Sequence, residues 1–190
     1  MTSGRPLDVA AVVPEDLLTY AWLLARSGHL DADARTAEVA QAARDDHRLD
    51  ESVAPELVAS ADARVRAESA SWPQTTDHDR LLAVFAALRR RDVLVLEHVD
   101  DHWTATAELQ LRTDDGQPAA GVVWFTAPDV WHAVQHGMLE LNLWHGTGAN
   151  AAPGDALLDD VLELMRQHAL PAHYDEGRVE VACSWQRRIG

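Results

Sequence analysis

Trp103-Thr104-Ala105-Thr106-Ala107-Glu108-Leu109-Gln110-Leu111-Arg112 places an apolar side chain at every odd position and a polar one at every even position.

 Such alternation over ten residues has the period of a half-buried strand, with one dry face and one wet face. Read this way, the stretch is the middle strand of an antiparallel meander. Residues 93–99 form the strand before it, joined through a tight turn at Asp100-Asp101. Residues 119–126 form the strand after it, joined through Thr113-Asp114-Asp115-Gly116. Trp103, Leu109 and Leu111 then enter one core with Phe85, Leu139, Leu141 and Val181.

The chain on either side alternates between helical and extended periods. A short helix over 128–136 stops at Gly137, and residues 138–144 return as a strand. Leu139, Leu141 and Leu143 point inward from that strand, and Glu140, Asn142 and Trp144 point outward. A strongly amphipathic helix over 155–168 and a hairpin turning at Glu176-Gly177 complete the C-terminal part. Upstream, Thr76 and Asp79 resemble a capping pair for a helix that carries Leu81, Leu82, Phe85 and Leu88 inward and ends in Arg89-Arg90-Arg91. Three further helices, over 14–27, 33–46 and 52–70, precede Trp72-Pro73. The expected fold is α+β: a mixed, mostly antiparallel sheet with helices packed on it, preceded by a three-helix N-terminal segment. The expected division is 1–72 for the helical segment and 73–190 for the α+β domain.

Composition removes several classes of function. The chain has 190 residues, 47% of them hydrophobic, which is too apolar for disorder. Sixteen basic against 31 acidic residues give a formal charge of −15, which disfavours nucleic acid and anionic membrane as partners. Every basic residue is arginine, so Schiff-base and P-loop lysine chemistry is excluded. Cys183 is the single cysteine, which excludes an internal disulfide and a multi-cysteine zinc site. Residues 1–7 lack the layout of a signal peptide, and no apolar run approaches the ~20 residues of a membrane span. A cytoplasmic location is expected, in keeping with the solitary thiol.

Four separated stretches carry a resemblance: Trp72-Pro73 with Thr76-Asp77-His78-Asp79-Arg80-Leu81, then Gly121-Val122-Val123-Trp124-Phe125, then Asp129 with Ala133-Val134, and Trp185-Gln186-Arg187-Arg188. Over about residues 72–188 the chain resembles an uncharacterised, largely actinobacterial family catalogued as a domain of unknown function. The resemblance implies no activity. Many members carry a cysteine cluster just after the first strand, but here that stretch reads Glu97-His98-Val99-Asp100-Asp101-His102-Trp103. No thiol chemistry carries over.

Two constellations invite a metal. Asp129, His132 and His136 share one face of a helix, and His98 and His102 flank a turn that holds Asp100 and Asp101. The first reads as a wet helix face and the second as a polar hairpin tip. Gly146-Thr147-Gly148 superficially matches a phosphate loop, but the helix after it starts too late, and it reads as a plain loop. No catalytic residue, metal or cofactor is therefore assigned. The expected function is a non-catalytic acidic interaction or regulatory protein that favours a basic protein surface. The alternative is a metal-dependent enzyme built on one of the two histidine sets. The expected binding residues are Glu108 and Arg112 from one strand and Glu140, Asn142 and Trp144 from another, sharing a polar sheet face around an aromatic.

Overall fold

A computed structural model describes residues 13–189. Residues 1–7, read above for a leader, lie outside the described residues. The chain divides into two compact units, one running to Ser71 and taking in Arg188, the other spanning Trp72–Arg187.

The first unit packs three helices, α1 (Glu15–Ser27), α2 (Ala32–Asp45) and α3 (Ala54–Ser69), against one another. Two of the boundaries have a clear local cause. Gly28 closes α1 in the left-handed conformation, and the Asp31 carboxylate caps α2 by accepting from Ala34 N at 2.8 Å. Leu57, Ala61 and Val65, four residues apart, form the buried stripe of α3. Among the described residues two ion pairs join one of these helices to another, Arg35–Asp62 at 2.9 Å and Arg26–Glu68 at 3.4 Å.

The second unit is a five-stranded mixed sheet with four helices, an α+β arrangement. Its helices are α4 (Asp77–Arg89), α5 (His102–Asp114), α6 (Ala127–His136) and α7 (Ala156–Gln167). Its strands are β1 (Val93–Leu96), β2 (Gly121–Trp124), β3 (Met138–His145), β4 (Ala172–Asp175) and β5 (Arg178–Ala182). They lie in the order β1-β2-β3-β5-β4. Only β1 and β2 run parallel, in the register Leu94 to Val122; the other three pairings are antiparallel.

The expected meander is therefore overturned, and with it the strand over 103–112. Parallel strands cannot be joined by a tight turn, so the chain must cross over the sheet between β1 and β2. The crossover is α5. Asp101 starts it, its carboxylate accepting from Trp103 N at 2.8 Å and Thr104 N at 3.3 Å. The Thr106 hydroxyl donates to the His102 carbonyl one turn back, so this β-branched residue is accommodated within the helix. An apolar residue at every second position also supplies one at every fourth. Ala105 and Leu109 are buried beneath α5, whereas Trp103 is 66% and Leu111 57% exposed on its outer side.

The two sheet faces are covered unequally. Helices α4, α6 and α7 cover one face, burying Val93, Val95, Val123, Leu139, Leu141, Leu143, Val179 and Val181 in the main core. Helix α5 meets the other face over Leu94, Leu96, Val122 and Trp124. Leu82, expected inward on α4, is 41% exposed, because Leu81, Val84, Phe85 and Leu88 fill the buried stripe.

Helix and strand make opposite predictions for two leucines. Leu109→Ala should lower stability by about 2–3 kcal/mol, whereas Leu111→Ala should stay within about 0.5 kcal/mol in denaturant titrations. Equal losses would restore the strand.

Candidate functional site

Three of the four stretches that carry the sequence resemblance meet at one side chain, Trp185. Trp185, 1% exposed, follows β5 and fills the space beside β2 and α4. His78 of α4 stands edge-on to it at 4.8 Å between ring centroids, His98 at 5.8 Å and Phe125 at 5.8 Å. Asp77, at the start of α4, accepts from Ser184 N at 3.1 Å across 107 positions of sequence and from Arg80 Nη1 at 2.8 Å. Thr76 N donates to the Asp79 carboxylate, and Asp79 N donates to Thr76 Oγ1, completing the cap expected from the sequence. Asp129 similarly starts α6, accepting from both the amide and the hydroxyl of Thr126 at 2.7 Å. These acidic groups organise helix ends and hold the C-terminal segment. None is directed at a shared reaction centre.

Burial sets the titration here. It drives the His78 imidazole down from 6.5 to about 4, and the nearby Arg187 cation adds to the shift. Burial also pushes the Cys183 thiol up to about 12, which leaves it a core group and a poor nucleophile at neutral pH.

The histidine sets do not assemble. His98 adopts a left-handed backbone, φ 55°, and turns its ring toward Phe125 and Trp185. His102 instead lies tilted against Trp103, with ring centroids 4.5 Å apart, and Asp101 is engaged in capping α5. His132 and His136 lie 4.7 Å apart, while the Asp129 carboxylate is taken up by Thr126. Among the described residues no group of three His, Cys, Asp or Glu is placed to hold a metal ion. The Gly146-Thr147-Gly148 stretch has a steric explanation: a Cβ at Gly146 would collide with the carbonyl oxygen of Ala119. Beyond that crossing, His145 Nε2 meets Asp155 Oδ2 at 2.9 Å.

The expected binding residues are separated because residues 102–114 are helical. Glu108 is exposed on that helix, whereas Arg112 is half-buried and its Nε has no hydrogen-bond partner. Glu140 forms an ion pair with Arg178 on the neighbouring strand. Asn142 lies opposite Trp124 in the β2–β3 register. Trp144 packs edge-on against Trp124 at 5.1 Å, within the cluster under α5. The shared polar sheet face expected for all five is thus not formed, because Glu108 and Arg112 do not lie on a strand.

What sequence reasoning missed is the outside of α5. Trp103, Ala107 and Leu111 stand four residues apart and form an exposed apolar stripe opposite buried Ala105 and Leu109. Trp103 and Leu111 are two of the three exposed large hydrophobic residues described. The capping aspartate ahead of a run rich in the helix formers Ala, Glu, Leu, Gln and Arg was the signal available for finding it.

Residues 11–189 match the family described as a domain of unknown function, DUF6891. The chain belongs to that family. No curated protein and no solved structure matches it.

Two measurements follow from this geometry. Unfolded His78 binds a proton near pH 6.5 and folded His78 only near pH 4, so its contribution is complete above 6.5 and is lost as pH falls toward 4. Between pH 7 and 4, wild type should lose on the order of 2–3 kcal/mol more than His78→Phe in denaturant titrations. Trp144→Ala should cost about 2–3 kcal/mol of stability, as for an aromatic lost from a partly buried cluster. An unchanged melt would place Trp144 outside the packing under α5.

Proposed function

We propose that this family member is a non-catalytic, acidic protein-interaction module of the cytoplasm, with a basic protein surface as its favoured partner. The observation that carries the reading is the exposed Trp103-Ala107-Leu111 stripe of α5. Apolar anchors on an otherwise polar helix suit a recognition surface, and tryptophan is among the residues that contribute most at such surfaces. The charge of −15 favours encounter with a cationic partner and opposes nucleic acid. Glu108 lies on the same helix and supplies part of that charge. The carboxylates of Asp77, Asp79 and Asp129 serve helix ends and backbone amides, which supports a structural role for them over a catalytic one.

The test is a matched pair of proteins. The double variant Trp103→Ala, Leu111→Ala should melt with wild type yet bind a partner isolated with wild type at least ~10-fold more weakly. Unchanged affinity would remove α5 as the interface. A stoichiometric transition metal in the purified protein, with an activity lost on chelation, would overturn the reading in favour of a metal-dependent enzyme.

A further inference from the structure

We infer that the occupant of the α5 stripe is a basic amphipathic helix supplied by another protein, an inference that rests on α5 being the interaction surface. The stripe spans nine residues, about 12 Å of helix rise, with its anchors at steps of four. Side chains so spaced form a ridge that fits the groove between corresponding rows on a second helix. The partner therefore presents apolar side chains at helical spacing.

Charge fixes the rest of its chemistry. Five exposed carboxylates surround the stripe: Asp100 and Asp101 at its start, Glu108 on its flank, and Asp114 and Asp115 at its end. Arg112, the one arginine on α5, is half-buried on the sheet-facing side. The aspartates at the start suit the positive end of the helix dipole, and Asp101 caps it. Those at the end do not. Asp114 is the last residue of α5 and Asp115 its C-cap, where a helix favours cations. This placement works against α5 itself and is relieved by arginine or lysine from outside. A second copy of this chain would bring carboxylates against carboxylates at both ends of the stripe, so self-association is disfavoured.

The experiment uses three labelled synthetic peptides of equal length: an amphipathic Leu/Lys helix, its Leu/Glu counterpart, and an unstructured Lys/Ser chain. Fluorescence anisotropy is read against the full chain. The Leu/Lys peptide should bind, with affinity falling at least ~10-fold for Trp103→Ala and ~3-fold or more for Asp114→Asn with Asp115→Asn. The aspartate variant should also flatten the dependence on salt. A charge-matched control, Asp175→Asn with Glu176→Gln on the β4–β5 hairpin, should leave affinity unchanged. Equal loss in that control, or equal binding of the Lys/Ser chain, would reduce the interaction to general charge attraction and overturn the inference. Binding of the Leu/Glu peptide that remains sensitive to Trp103→Ala would overturn the basic partner and keep the α5 surface. A dimer in sedimentation that Trp103→Ala dissociates would replace the partner with a second copy. No binding by the Leu/Lys peptide would also overturn the partner class, leaving α5 to the partner measurement described above.

Discussion

The parallel pairing of β1 with β2 is the constraint on which the second unit depends. Two strands running the same way leave the intervening chain at the wrong end of the sheet, and it must return across a face. Thirteen residues of α5 make that return, rising about 20 Å against the ~13 Å of a four-residue strand. The helix is thus longer than the strands it covers, and it lies over the β1–β2 side of a five-stranded sheet. On the opposite face α4, α6 and α7 contribute to one core. Among the described residues α5 has no companion helix in its cluster, so its outer side keeps the water exposure that burial beside a neighbour would remove. The exposed stripe is a consequence of topology before it is a feature of sequence.

Much of the fold was legible because several elements carry signals of more than one kind. Helix α6 has an apolar face, an acidic start and a glycine stop, and these agree. Strand β3 alternates without interruption, and its Leu139, Leu141 and Leu143 are all buried. Residues 103–112 are different, since their pattern satisfies two periods at once. Apolar residues at all odd positions fit a strand completely, yet the subset at 105 and 109 is sufficient for a helix. Local capping by Asp101 and the demand of the parallel pair decide between them, and only the first is visible in sequence. Leu82 shows the same limit on a smaller scale: an apolar residue beside a helical stripe need not belong to it.

The candidate surface was less legible than the fold, for the same reason. Glu108 and Arg112 were grouped because a strand puts positions four apart on one face, and a helix nearly does so too. Their partners on β3 were read correctly as the residues facing away from the main core. What periodicity could not supply was the cover on that second face, which turns Trp144 from an exposed aromatic into a neighbour of Trp124. The exposed tryptophan is instead Trp103, placed outside by the helical period that the strand reading suppressed.

The acidic groups divide by what their position does for the fold. Asp31, Asp50, Asp79, Asp101 and Asp129 sit at or near helix starts, where each accepts from backbone amides and meets the positive end of a dipole. Asp62 and Glu68 pair with arginines inside the first unit. Such carboxylates contribute to folding and explain part of an acidic composition without reference to any partner. Asp114 and Asp115 have no comparable relation to α5: Asp114 accepts from the Gln110 amide at 2.7 Å, but both charges stand at the end of the helix that repels them. A local preference broken beside an exposed apolar stripe separates charge placed for the fold from charge available to a partner. By that criterion the net charge alone is a weak argument for a basic partner, and the position of these two aspartates is the stronger one.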